Sequence, residues 1–290
     1  MSTTAPSETT ARYSEAWRTV RWPGEAKVAV QVILAFESFE RQSQFATAPS
    51  PNAVNGFSQS YGEYGAHAGA WRLLRLFAEE DISVSVPTNG LAAARHPHVV
   101  RAIADAGHEL VGHGWANDVF LPGGDDERRM IAETLDAIER AGGQRPVGWT
   151  SPGKMGSPDS DELLLDAGIL YTGDDASDDL PFVKEVGERS MVVVPSVDLN
   201  ANDLLQWILP GHGPAVLADS FKRTFDAVYH EAVEGRPNTL GLVLHAHGAG
   251  RPTMVPTVRE LIRYAKGHAD VWFARGDEIA RWTVEQGYRR

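Results

Sequence analysis

The run Lys27-Val28-Ala29-Val30-Gln31-Val32-Ile33-Leu34-Ala35-Phe36 narrows the choice of fold more than any other stretch. It is β-branched and nearly all apolar, so it reads as a strand buried on both faces. Such strands belong to parallel sheets covered by helices on each side. The rest of the chain supplies the matching pattern. Gly69 to Glu80 carries Trp71, Leu73, Leu74, Leu76 and Phe77 at helical spacing, and Ile82 to Pro87 reads as a second strand. Pro97 to Ala106 predicts a helix and Leu110-Val111 a short strand. Asp125 to Ala141 predicts an amphipathic helix closed by Gly142-Gly143. Further strands are expected at Ile169–Tyr171, Met191–Val194, Leu240–Leu244 and Val271–Phe273. Helices are expected at Asp159–Ala167, Phe221–Glu234, Val255–Gly267 and Gly276–Gln286. Strand and helix alternate almost throughout, which predicts an α/β fold with about seven parallel strands in a barrel or strongly curved sheet.

Residues 1–20 read as a loose N-terminal arm and 21–290 as a single domain. Residues 41–62, rich in Ser, Gln, Asn, Ala and Pro without a period, read as a long loop of the functional kind. A hydrophobic share of 42% supports a packed core, and the net charge of −12 disfavours a nucleic-acid backbone as partner. Cysteine is absent, which removes disulfides, thiolate zinc sites and Cys nucleophiles together. The first ten residues are small and polar, with no basic and apolar regions of a signal peptide, and no apolar run reaches the roughly 18 residues of a membrane span. A cytoplasmic protein acting on a small molecule, with no membrane partner, is expected.

Five polar segments follow or abut predicted strands: Glu37 to Glu40, His113 to Asp118, Arg145 to Ser151, Asp174 to Asp179, and Leu244 to Pro252. Active sites of parallel sheets form where strands end, so these segments are expected to share a pocket. A carboxylate and a histidine meeting there can divide a hydrolysis, one activating water and the other protonating the leaving group.

These segments resemble a known family. Trp22-Pro23, Tyr64-Gly65, Trp71-Arg72-Leu73-Leu74, Gly107-His108-Glu109 with His113-Gly114-Trp115, Arg145-Pro146-Val147-Gly148-Trp149, Ser177-Asp178-Asp179-Leu180-Pro181-Phe182, Asn202-Asp203, and His245 with Gly250-Arg251-Pro252 are similar, in order, to the NodB-homology polysaccharide deacetylases (carbohydrate esterase family 4). Within that family the similarity is to the branch holding PuuE-type allantoinases and cyclic imide hydrolases. The resemblance runs from Trp22 to about Trp282 and implies a distorted (β/α) barrel.

The same resemblance implies roles residue by residue. Phe36-Glu37-Ser38 falls where the family has a catalytic Asp followed by a metal-binding Asp, so Glu37 keeps the base and Ser38 loses a ligand. His113 matches one of two ligand histidines four residues apart, and Asn117 stands at the other. A hydroxyl and a carboxamide are poor substitutes for carboxylate and imidazole toward Zn²⁺, so weak or absent divalent-metal binding is expected and no cofactor is assigned. His245 matches the catalytic acid, and Arg145 the arginine that orients the catalytic carboxylate. Trp115, Trp149, Asn117, Asp178, Asp179, His247 and Arg251 are candidate substrate contacts. For His247 the alternative is a satisfied surface group, for Arg251 an anchor, for Asp178 and Asp179 a solvated turn, and for the tryptophans core packing. The implied activity is hydrolysis of a C–N bond in a small cyclic amide, imide or ureide, with Glu37 or His113 activating water. An N-deacetylase of acetylated amino sugars and an impaired ligand-binding member are the alternatives. The branch implies a homo-oligomer, dimer or tetramer, with Leu204, Leu205, Trp207 and Ile208 as contacts or as a lid on their own barrel.

Overall fold

The computed structural model describes residues 20–41, 43, 55–195 and 199–288. Among them one sheet is built from β1 (Val28–Ala35), β2 (Ser85–Thr88), β3 (Glu109–Gly112), β4 (Gly148–Trp149), β5 (Tyr171–Thr172), β6 (Phe182–Val186), β7 (Arg189–Val193), β8 (Asn238–His245) and β9 (Val271–Phe273). Their order is β6-β7-β5-β4-β3-β2-β1-β8, with β9 beside β1. Every pairing is parallel except the β6–β7 hairpin. The result is an α/β half-barrel of mostly parallel strands. It exceeds the expected seven by two, because β4 is only two residues long and β6, a strand with a half-exposed middle, lacks the apolar run that marked the others.

β1 organises this sheet. β8 pairs with it residue for residue from Val28↔Asn238 to Ala35↔His245. Its other edge is therefore shared, β9 taking Val28 to Val30 and β2 taking Ile33. Successive residues of a strand point to opposite faces. Val28, Val30, Val32, Leu34 and Phe36 accordingly join the main core with Leu73, Phe77, Phe221 and Leu261 of the outer helices. Gln31, Ile33, Ala35 and Glu37 face the barrel interior instead. One nearly all-apolar run thus serves two faces, and the interior face ends on a carboxylate.

One expectation changes. Residues 41–62 do not remain a loop throughout, because Gly56–Tyr64 is a helix whose N-terminus is capped by Asn55, its side chain accepting from Ser58 N at 3.0 Å. Small residues there hide the helical period. Residues 42 and 44–54 of that segment, and 1–19 of the arm, lie outside the described residues. The segment bearing Leu204, Leu205, Trp207 and Ile208 packs on its own barrel: Ile208 is buried, Trp207 joins the main core, and Leu204 and Leu205 border the interior. Among the described residues no helix is long and apolar enough to cross a membrane.

Candidate active site

A cavity of about 290 Å³ opens at the carboxyl ends of the strands. Glu37 reaches it two residues beyond β1, His113 just beyond β3, and His245 as the last residue of β8. The β1–β8 register sets Ala35 beside His245, so the two strand ends deliver Glu37 and His245 to one place.

Glu37 is buried, and three imidazoles surround it. His113 Nε2 lies 3.4 Å from Oε1, His245 Nε2 4.0 Å from Oε1, and His247 Nδ1 3.8 Å from Oε2. Burial pushes the carboxyl up, but the charge of His245 and the hydrogen bond of His113 outweigh it and hold it down at about 2. The group is ionised at neutral pH.

His245 is oriented by Asp203, a member of the family-like pair Asn202-Asp203 to which the sequence alone assigns no role. Asp203 is fully buried. Its Oδ1 accepts from His245 Nδ1 at 2.6 Å and its Oδ2 from the His245 backbone N at 2.9 Å. Burial pushes the imidazole down, yet the nearby Asp203 and Glu37 carboxylates raise it to about 9. Nε2 is the nitrogen left toward Glu37, and at neutral pH it carries a proton.

His113 is fixed in the same way by backbone. Its Nδ1 donates to Thr150 O at 2.5 Å, and its own carbonyl accepts from the Asn89 side chain. Nε2 then faces Glu37 and Asn117 Oδ1, the latter at 3.1 Å. His247 is buried among Phe39, Tyr61 and His245 rings. Burial holds it down at about 4, so it is neutral. It supports Glu37 from behind and is absent from the cavity wall.

Several expected contacts lie elsewhere. Arg145 points outward and pairs with Asp136 at 2.9 Å and Glu139 at 2.8 Å, partners one helix turn apart on the outer surface, so it does not orient Glu37. Asp178 and Asp179 border a separate pocket with Thr239 and Leu240, at the opposite end of β8 from His245. Trp149 is fully buried in a core cluster with Leu135 and Leu163, because its position on β4 faces the helices rather than the interior. Trp115 packs against the main core. Arg251 lies 4.0 Å from the centres of both the Tyr61 and Tyr64 rings and donates to His247 O at 3.1 Å. It clamps the turn that follows β8 and does not reach the cavity wall. Conversely, Lys154 is in that wall, donating to Gly173 O at 2.7 Å. Burial lowers its ammonium to about 8, so it stays charged at neutral pH. Nothing in the local sequence separates it from a surface lysine.

The residues at the family's metal positions do not fit a zinc ion. Ser38, His113 and Asn117 offer one imidazole, one hydroxyl and one carboxamide, with no anionic ligand, and the imidazole nitrogen already faces the Asn117 oxygen. Among the described residues no group of three or more His, Asp or Glu side chains is arranged to hold a metal.

Comparison with known proteins agrees with this fold. The family model described as "Polysaccharide deacetylase" matches residues 61–171. A crystal structure of a probable polysaccharide deacetylase from Pseudomonas aeruginosa is 31% identical, covers 91% of this chain and 93% of its own, and superposes with a TM-score of 0.83. The PuuE allantoinase structure is 31% identical, with 90% and 91% coverage and a TM-score of 0.82. A Schizosaccharomyces pombe protein with a polysaccharide deacetylase name is 25% identical over 304 residues, 92% of this chain and 94% of that one.

Proposed function

The chain belongs to the polysaccharide deacetylase family, whose members are hydrolases of carbon–nitrogen bonds other than peptide bonds, and from that membership we propose that it opens the C–N bond of a small cyclic amide, imide or ureide by acid–base catalysis. The observation that carries the reading is the ion pair of Glu37 and His245 at the cavity mouth, 4.0 Å apart and both in the protonation state their tasks need.

Glu37 accepts a proton from water, whose oxygen attacks the carbonyl carbon. The C–O bond forms as the carbonyl π electrons move to oxygen, and the Lys154 ammonium in the same wall offers the positive charge this oxyanion needs. Collapse breaks the C–N bond, and His245 Nε2 delivers its proton to the departing nitrogen. Asp203 stabilises the imidazolium beforehand and keeps Nε2, not Nδ1, aimed at the cavity. Glu37 then holds a proton and His245 lacks one, so a transfer across the gap between them restores the resting pair. His113 and Asn117 position Glu37 and border the carbonyl.

A second reading, N-deacetylation of an acetylated amino sugar, is favoured by the family match over residues 61–171 and uses the same steps on an acetamide. The test is a panel of cyclic imides, dihydropyrimidines, ureides, linear amides and N-acetylated sugars, each with the wild type and His245→Ala. Turnover of a ring substrate, lost by roughly 10²-fold or more in the variant with KM little changed, supports the proposal. Turnover restricted to acetylated sugars moves the assignment to the second reading, and no turnover at all ends both.

A further inference from the structure

Building on that reading, we infer that the substrate carries an apolar substituent on the acyl side of the scissile bond, and that this substituent enters the barrel beneath the acid–base pair. Between the two ends of the sheet the interior side chains are Ile33, Ala35, Pro87, Val111, Val194 and Val243, all of them walls of the cavity whose mouth holds Glu37 and His245. Closed parallel barrels fill this space with layers of bulky branched side chains. Here an isoleucine, three valines, an alanine and a proline stand at those places, and they leave open the inner part of the cavity of about 290 Å³ that they share with the mouth residues.

The far end is polar and shut. Gln31 Nε2 donates to Ser85 Oγ at 3.0 Å, Ser85 Oγ donates to Glu109 Oε2 at 2.7 Å, and Tyr171 OH donates to Glu109 Oε1 at 2.8 Å. Gln31 and Glu37 are six positions apart, about 20 Å along the line of β1 at roughly 3.3 Å per residue. The space is therefore a blind tube whose middle walls are apolar, with polar groups confined to the mouth and to the floor, where Gln31 Oε1 is unpartnered. A ring bearing several amide groups, pushed into it, would face Ile33, Ala35 and Val111 with its polar atoms unpartnered, which is unfavourable. An alkyl or aryl group meets no such penalty. The scissile carbonyl then sits at the level of Glu37 and His245, its carbon skeleton inward and its nitrogen toward the mouth.

The experiment is calorimetric binding of primary alkanamides of two to eight carbons to the full chain, beside their rates of hydrolysis. Affinity is expected to rise about fourfold per added methylene until the tube is full. Ala35→Phe, which plugs the tube, should flatten that dependence, and Ile33→Ala, which widens it and adds volume, should move the plateau to a longer chain. Affinity independent of chain length, or a length dependence that neither variant alters, overturns the inference. Length-dependent binding with no turnover of the alkanamides or of any compound in the substrate panel upholds the tube and removes the reaction reading. Hydrolysis without a length dependence does the reverse.

Discussion

Asp203 holds His245 by two hydrogen bonds, one to the ring at 2.6 Å and one to the backbone at 2.9 Å, so a single carboxylate fixes both the strand end and the imidazole it carries. Replacing it by Asn keeps the shape and removes the charge. Asp203→Asn should lower the His245 pKa from about 9, move the alkaline limb of kcat/KM to lower pH, and reduce kcat by roughly 10²-fold. A raised imidazole pKa stabilises the fold fully below its ordinary value of 6.5, and that contribution is lost as pH rises through about 9. The gap in Tm between wild type and variant should therefore be widest near pH 6 and close above pH 9.

Glu37 behaves in the opposite sense. Its depressed pKa stabilises the fold above 4.5, and the contribution disappears as pH falls through about 2. The rate should accordingly show no acid limb between pH 4 and 8. Glu37→Gln should retain substrate binding and lose roughly 10² to 10⁴ in kcat. A kcat/KM profile of the wild type with an acid limb near 6 would contradict the assignment.

Glu109 sits at the amino end of β3, away from the catalytic mouth. Burial, helped by the charge of Asp277, raises it to about 7. Between 4.5 and 7 the folded chain thus holds a proton the unfolded chain has lost, and stability falls as pH rises through that window. The full shift corresponds to about 3 kcal/mol above pH 7. Glu109→Gln, neutral throughout, should be more stable than wild type in urea at pH 8 and lose that advantage at pH 4.5.

The helical segment before Ala70 meets the turn after β8 through glycines. A Cβ on Gly250 would stand 2.3 Å from Gly69 Cα, with backbone on both sides, so nothing flexible can give way. Gly250→Ala should cost about 1–3 kcal/mol by chemical denaturation and lower kcat as well, because the displaced turn starts at His245.

The metal positions can be tested by restoration. His113 Nε2 and Asn117 Oδ1 are 3.1 Å apart, so a second imidazole at 117 would face the first. Ser38→Asp combined with Asn117→His should bind one Zn²⁺ per chain by elemental analysis, and the wild type should bind it weakly or not at all.

The parallel sheet was legible because β1 is apolar on both faces, and the site was legible where residues follow strands: Glu37, His113 and His245 share one cavity. What local sequence does not encode is direction. Trp149 lies on a strand of two residues, too short to reveal by alternation which face it takes, and it faces the core. Arg145 sits near a strand, but two surface carboxylates of the preceding helix capture it first. Asp203 acts across a separation of 42 residues, which only the folded chain brings together. The helix at Gly56 was hidden because glycine, serine and glutamine there carry no apolar stripe.

β1 takes its partners from the far end of the chain, β8 beginning at Asn238 and β9 at Val271. During synthesis the strand that carries Glu37 therefore emerges from the ribosome with an edge bare, and more than two hundred residues must follow before it is covered. Until then the nascent chain has neither a complete sheet nor both halves of its acid–base pair. Catalytic competence and burial of the central strand arrive together, late, so any premature stop before β8 yields an adhesive fragment with no activity.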